Sequence, residues 1–203
     1  MKVIAFNGSP HRNGTTSAGI GAITEELEKE NITVETVHVG GEYVHGCAGC
    51  GKCRELKRCV FDDIVNQCIG KINQADGLIL GSPVYYGGIA GTFKCFLDRL
   101  FFCGSDTKYK VAAVVAALRR SGGIAVHQSL CNYLNLGQMI ITPTQYWSLI
   151  HGNSVQEALE DKEGMQVMRV TGRNMAWLLK AVADARQKAL PPTEPRVWTN
   201  FIH

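Results

Sequence analysis

The segment Val111-Ala-Ala-Val-Val-Ala-Ala117 is apolar at every position. Side chains along a strand alternate between its two faces, so such a run needs a sheet covered on both sides. Four more short runs, at 3–6, 33–39, 78–80 and 139–141, are rich in β-branched and aliphatic residues and are separated by stretches of helical period. That rhythm predicts an α/β fold of three layers, a doubly wound, five-stranded parallel sheet between two sets of helices. The first helix is expected to open near Thr16 or Ser17 and to bury Ile20, Ile23 and Leu27. The last runs from about 161 to 188, with Met168, Met175, Leu178 and Val182 recurring at core spacing. Residues 1–188 are thus expected to form a single domain, long enough to bury roughly seven-tenths of its unfolded surface. Residues 189–203, with three prolines and Trp198, read as an extended tail on the body or on a partner subunit.

After the second strand, residues 46–60 carry Cys47, Cys50, Cys53 and Cys59 in the spacing C-x2-C-x2-C-x5-C on a glycine-rich stretch. Thiolates so spaced converge on one iron–sulfur cluster or one zinc, and glycine permits the left-handed turns that such wrapping needs. Four sulfurs alone do not discriminate between the two metals, and a metal-free cysteine loop is the third reading. Lys52, Arg54, Lys57 and Arg58 would offset the charge of a thiolate-ligated cluster, although each taken singly reads as solvated surface. His45 reads as surface or as an outer neighbour of the loop rather than a ligand. The other four cysteines, Cys68, Cys95, Cys103 and Cys131, stand isolated in apolar or helical surroundings, unlike a disulfide framework. With no signal peptide read at Met1, the expected compartment is a reducing cytoplasm. No apolar run approaches the length of a membrane span, and a scattered net charge of +3 gives no basis for nucleic-acid binding.

Ligands of doubly wound sheets bind beyond the carboxyl ends of the strands. The first such loop, Gly8-Ser-Pro-His-Arg-Asn-Gly-Thr-Thr-Ser17, leads into a helix and offers hydroxyls and free N–H groups, the makings of a phosphate cradle. It has neither the glycine-lysine signature of a nucleotide-triphosphate loop nor the glycine fingerprint of a dinucleotide fold. The third, Gly81-Ser-Pro-Val-Tyr-Tyr-Gly-Gly88, pairs flat tyrosines with glycines that admit a planar ligand close to the backbone. The fourth, Ala117-Leu-Arg-Arg-Ser-Gly-Gly123, joins small residues to cations. Each loop alone is compatible with an ordinary turn. Together they fit one ligand with a phosphate at one end and a flat, polar-edged ring at the other, and FMN has that shape.

The combination of Gly8-Ser-Pro, Thr15-Thr16, Gly81-Ser-Pro-Val-Tyr-Tyr-Gly-Gly88, Phe93-Lys-Cys-Phe-Leu-Asp-Arg99 and Arg120-Ser-Gly-Gly123 resembles the NADPH-dependent FMN reductase group of the flavodoxin-like superfamily. With the cysteine segment it resembles the iron–sulfur flavoprotein branch, where a compact motif of this kind holds a [4Fe–4S] cluster. The resemblance implies a sheet of order 2-1-3-4-5. It implies an FMN phosphate held by Ser9, His11, Thr15, Thr16 and Ser17, and a ring lying against Pro83, Val84, Tyr85, Tyr86, Gly87 and Gly88. Ala117, Arg119, Arg120, Ser121, Gly122 and Gly123 fall near the pyrimidine edge, and Cys47, Cys50, Cys53 and Cys59 are the metal ligands. His11 and Ser148 depart from the family pattern, which favours arginine and asparagine at those places. The cysteine loop leaves the carboxyl end of the second strand and is expected to return on the flavin side of the sheet.

The implied activity is that of an NAD(P)H-dependent flavin oxidoreductase, passing electrons from NAD(P)H or a ferredoxin-like donor to a small-molecule or protein partner. Flavin itself carries the chemistry, so no catalytic side chain is required. A flavodoxin-type carrier is the first rival, though such carriers are typically acidic and this chain has a pI near 8.4. A metal-stabilised interaction module is the second. A phosphatase of related fold needs C-x5-R, and no cysteine here has arginine at that distance. Tyr146, Trp147 and the aromatic tail exceed what a monomer's surface needs, so a homodimer or homotetramer is expected.

Overall fold

A computed structural model describes residues 1–104, 106–195, 197–199 and 201. Along the chain follow β1 (Lys2–Asn7), α1 (Thr15–Lys29), β2 (Thr33–His38), α2 (Cys53–Leu56), α3 (Ile64–Asn73), β3 (Gly77–Tyr85) and β4 (Gly88–Ile89). Then come α4 (Gly91–Phe102), β5 (Val111–Leu118), α5 (Gly123–Leu136), β6 (Ile140–Ile141), β7 (Leu149–His151), α6 (Val155–Glu160) and α7 (Lys162–Lys188). The sheet runs β2-β1-β3-β5-β6, with β7 also parallel to β5 and the short β4 antiparallel on β3. With β4 set aside, and β6 and β7 taken as one interrupted fifth strand, this is the expected order 2-1-3-4-5.

The double cover that the apolar strands require is present. Ala112, Val114 and Ala116 of β5 face a core built with α3, α4 and α5, while Val111, Ala113 and Val115 face a second core with α1 and α7. Helices α1 and α7 meet closely at Gly172, where a Cβ would stand 2.8 Å from the Ile23 carbonyl oxygen. Asp161 caps α7 by accepting a hydrogen bond from the Gly164 N–H at 2.9 Å, so the helix starts where its sequence pattern does.

Three features differ from expectation. Strand β3 continues to Tyr85 instead of ending near 80, because its last residues pair with β4 and with β5. The fifth strand is broken: Ile140 and Ile141 pair with the start of β5 and Leu149 to His151 with its end, Thr142 and Ser148 each keep one backbone hydrogen bond to β5, and residues 143–147 leave the ladder. Helix α6 is unanticipated, although Ser154 and Glu157 form a legible start signal, with the Glu157 N–H donating to Ser154 Oγ at 3.2 Å. In the tail, residues 189–195 have no regular secondary structure, and Trp198 lines a surface groove with Arg54, Phe102 and Tyr133. Tail residues 196, 200, 202 and 203 lie outside the described residues. No helix among the described residues is long and apolar enough to cross a membrane.

Candidate functional site

A cleft of about 640 Å³ opens at the carboxyl ends of β1, β3, β5 and β7. One end is the loop after β1. Asn7 folds it from within: its Oδ1 accepts from the Ser9 N–H at 3.0 Å and its Nδ2 donates to the Arg12 carbonyl at 3.2 Å. Neighbouring elements leave the loop no slack, since a Cβ on Gly8 would lie 2.2 Å from the Phe93 ring and one on Gly40 2.2 Å from the Ser9 carbonyl. The N–H groups of Thr15 and Thr16 in the first turn of α1 meet no acceptor among the described residues. Such a turn carries a partial positive charge and binds anions.

The predicted hydroxyls divide by role. Ser9, Thr15 and Thr16 line the cleft together with His11. Thr16 is buried and its hydroxyl is not engaged by any described residue. Thr15 Oγ1 donates to the carbonyls of Gly152 at 2.9 Å and Ser154 at 3.3 Å, and Ser9 Oγ accepts from the His11 N–H at 3.2 Å. Ser17 does not line the cleft; its Oγ bonds the Gly14 N–H and carbonyl at 2.9 and 2.8 Å and caps α1.

At the other end Pro83, Val84 and Tyr85 form a wall. Tyr85 pairs with Gly88, leaving Tyr86 (φ 51°) and Gly87 (φ 71°) as a two-residue turn with both residues left-handed, the twist that hairpins favour. Tyr86 holds a conformation that is unfavourable for a bulky side chain, and its ring is fully exposed. Ser82 clasps the hairpin, accepting from the Ala90 N–H at 3.1 Å and donating to the Pro83 carbonyl at 2.8 Å. Of the loop after β5, Ala117 and Arg119 line the cleft; Arg120, Ser121, Gly122 and Gly123 do not. Gly122 (φ 87°) docks on the hairpin instead, and a Cβ there would stand 3.0 Å from Val84.

Sequence reasoning missed the fourth wall, residues 152–156. Asp161 holds its base: Oδ2 accepts from the His151 N–H at 2.7 Å. Burial works against the Asp161 charge, but the hydrogen bonds from Gly164 and His151 outweigh it and keep the carboxyl below its ordinary range.

The cysteines form a second centre. Cys47, Cys50, Cys53 and Cys59 line one small cavity with Phe61, Arg99, Phe102 and Cys103. None lines the cleft, so the loop does not return to the flavin side as expected; it runs to the far end of α4. Gly49 (φ 64°) and Gly51 (φ 71°) take the left-handed turns of the loop, and Cys47 and Cys50 are exposed while Cys53 and Cys59 are buried. Lys52, Arg54, Lys57 and Arg58 are solvated, so the cation beside the sulfurs is Arg99, which donates from Nε to Cys59 Sγ at 3.2 Å. His45 stacks on Phe61, ring centroids 4.5 Å apart. Cys103 is not isolated: burial, with Cys53 and Cys59 beside it, pushes its thiol up to about 12. Among the described residues, no three His, Cys, Asp or Glu side chains are grouped so as to hold a metal ion. The donor set itself, four thiols on one cavity with a buried N–H donor, suits a thiolate-bound cluster.

The sequence profile of the NADPH-dependent FMN reductase family matches residues 1–154. The chain is 30% identical over 191 residues to an iron-sulfur flavoprotein of Methanocaldococcus jannaschii, spanning 90% of this chain and 99% of that one. It is likewise 30% identical over 193 residues to an iron-sulfur flavoprotein of Methanosarcina thermophila, spanning 93% and 100%. Among solved structures, RosB with a bound formylated riboflavin phosphate intermediate superposes with a TM-score of 0.69 at 18% identity over 100% and 93% of the two chains. An archaeal flavodoxin does so with a TM-score of 0.62 at 16% identity over 89% and 99%. These last two likenesses show a flavodoxin-like fold. Matched over most of its length by the family profile and by relatives of its own size, the chain belongs to the NADPH-dependent FMN reductase family.

Proposed function

We propose that the chain is an FMN-dependent oxidoreductase that passes electrons from NAD(P)H or a ferredoxin-like donor to a small-molecule or protein acceptor, with a [4Fe–4S] cluster on Cys47, Cys50, Cys53 and Cys59. The observation that carries this reading is the shape of the cleft. Unpartnered N–H groups and the Thr16 hydroxyl stand at one end and the wall of Pro83, Val84 and Tyr85 at the other, which matches a phosphate joined to a flat ring. FMN supplies the exchange between hydride and single-electron transfer, and a cluster supplies a one-electron store. The protein's part is to bind and orient. The first turn of α1 takes the phosphate, the strained hairpin fixes the plane of the ring, and Arg119 brings positive charge to its edge. The iron-sulfur flavoproteins among the relatives support the assignment of the cysteines.

Purified protein is expected to be yellow and to release FMN, not FAD, on heating. A colourless protein that takes up no added FMN overturns the reading. Thr16→Val should weaken FMN binding by about 1.5–3 kcal/mol, roughly ten- to a hundredfold in Kd, because a phosphate oxygen loses a buried donor. Fluorescence titration measures it, and an unchanged Kd would place the phosphate elsewhere.

We further propose that the chain works as a homodimer or homotetramer. Tyr86, Tyr146 and Trp147 are large, apolar and exposed, two of them on the irregular segment between β6 and β7. Light scattering at micromolar concentration is expected to give at least twice the mass of the chain; a strict monomer rejects the proposal.

A further inference from the structure

Arg99 lies in α4, lines the cysteine cavity and not the cleft, and is only 1% exposed. A guanidinium has five N–H hydrogens, and each of them has an acceptor here. Nε donates to Cys59 Sγ at 3.2 Å; Nη1 donates to the His45 carbonyl at 3.1 Å and Asp63 Oδ2 at 2.6 Å; Nη2 donates to the Phe61 carbonyl at 3.3 Å and Asp63 Oδ1 at 2.9 Å. The guanidinium also lies 5.0 Å from the centroid of the Phe61 ring. These acceptors are not scattered. His45 immediately precedes the cysteine loop, Cys59 is its last predicted ligand, and Phe61 and Asp63 follow it. Asp63 in turn caps α3 by accepting from the Val65 N–H at 3.1 Å. One side chain on a rigid helix thus ties both ends of a loop whose middle, at Cys47 and Cys50, is exposed.

We propose that Arg99 is the positioning residue of the cysteine site: it closes the segment 45–63 into a ligand-ready loop before any metal arrives, and its Nε–H bond to Cys59 raises the reduction potential of the cluster held there. The first half stands on the hydrogen bonds alone, and the second rests on the cluster reading of the preceding section. Pinning both ends of a loop removes most of the freedom that metal binding would otherwise have to freeze out. A donor to a ligating sulfur favours the more negatively charged, reduced cluster over the oxidised one, so its loss lowers the potential. Lysine cannot replace the fork, because a single ammonium does not reach a carboxylate bidentately, a sulfur and two carbonyls together.

The test compares the full-length wild type with Arg99→Met, Arg99→Lys and the charge-balanced pair Arg99→Met with Asp63→Asn. In the metal-free proteins, hydrogen exchange read by mass spectrometry is expected to quicken at least roughly tenfold across 45–63 in Arg99→Met, with 8–17 unchanged, since one charged hydrogen bond already carries that factor. Unchanged exchange across 45–63 overturns the positioning role. Faster exchange over the whole chain in both single variants makes Arg99 a general staple of the fold and also overturns it. After anaerobic reconstitution with sulfide and equal parts ferrous and ferric iron, a spectroscopic redox titration is expected to give a more negative cluster potential in all three variants. If the charge-balanced pair returns to the wild-type value, the shift belongs to the uncovered Asp63 charge and the sulfur hydrogen bond sets nothing. If wild type takes up no iron while exchange across 45–63 still responds to Arg99, the positioning role stands and the cluster assignment falls.

Discussion

Anaerobic addition of sulfide with equal parts ferrous and ferric iron to the reduced chain is expected to load about four irons per chain, and Cys50→Ser to abolish that uptake while FMN remains bound. Cys50 is the informative position because it is exposed between two left-handed glycines, so its loss removes a sulfur at no expense to the core. Cys103 supplies the contrast. It is a fifth thiol on the same cavity, buried at the end of α4, and Cys103→Ala is expected to leave the iron content unchanged. Iron retained in Cys50→Ser and lost in Cys103→Ala would move the ligand set onto the helix. Wild type that takes up neither iron nor sulfide would leave a flavin reductase with a metal-free cysteine loop.

Phe93→Ala is expected to cost about 3–5 kcal/mol of stability, read from urea unfolding of the full chain. Phe93 is fully buried, stacks on Phe96 with centroids 6.0 Å apart, and fills the space in which Gly8 has no side chain. Its loss therefore opens a cavity directly beneath the loop after β1, and FMN affinity should fall under conditions where the variant is still folded. Phe93→Leu should be milder, because most of the volume is kept. An Ala variant as stable as wild type would mean that the Gly8 contact does not form in the folded chain.

The layers were legible because burial on both sheet faces writes itself into sequence as unbroken apolar runs, as in β5, whereas the strand order came from the family resemblance and not from those runs. The cysteine cavity was legible in part. Spacing named its four thiols, but Arg99 and Cys103 enter from α4, and no local pattern announces a contact across 40 residues such as that of Arg99 with Cys59. The cleft's first and third walls carry strong turn chemistry and were read. The wall at 152–156 follows a strand of three residues with no apolar run before it, so periodicity had nothing to register. Ser17 was read as a ligand because a serine at a helix start serves equally as anion donor and as cap; the competition is decided by where Gly14 points its N–H, which is a backbone matter.

Helix α4 has its first turn under the loop of one proposed cofactor and its last turn at the cavity of the other. From Phe93 to Cys103 the helical rise spans about 15 Å. The separation of the two proposed centres within a subunit is thereby set by the hydrogen-bonded rise of one helix, as on a ruler, and not by the softer packing of loops. Surface changes along α4 leave that gauge intact. A single residue inserted between 93 and 99 does not, since it turns Arg99 by about 100° and carries it about 1.5 Å along the axis. The nucleotide-sized cleft would survive such an insertion, while the thiols would lose the side chain that gathers them.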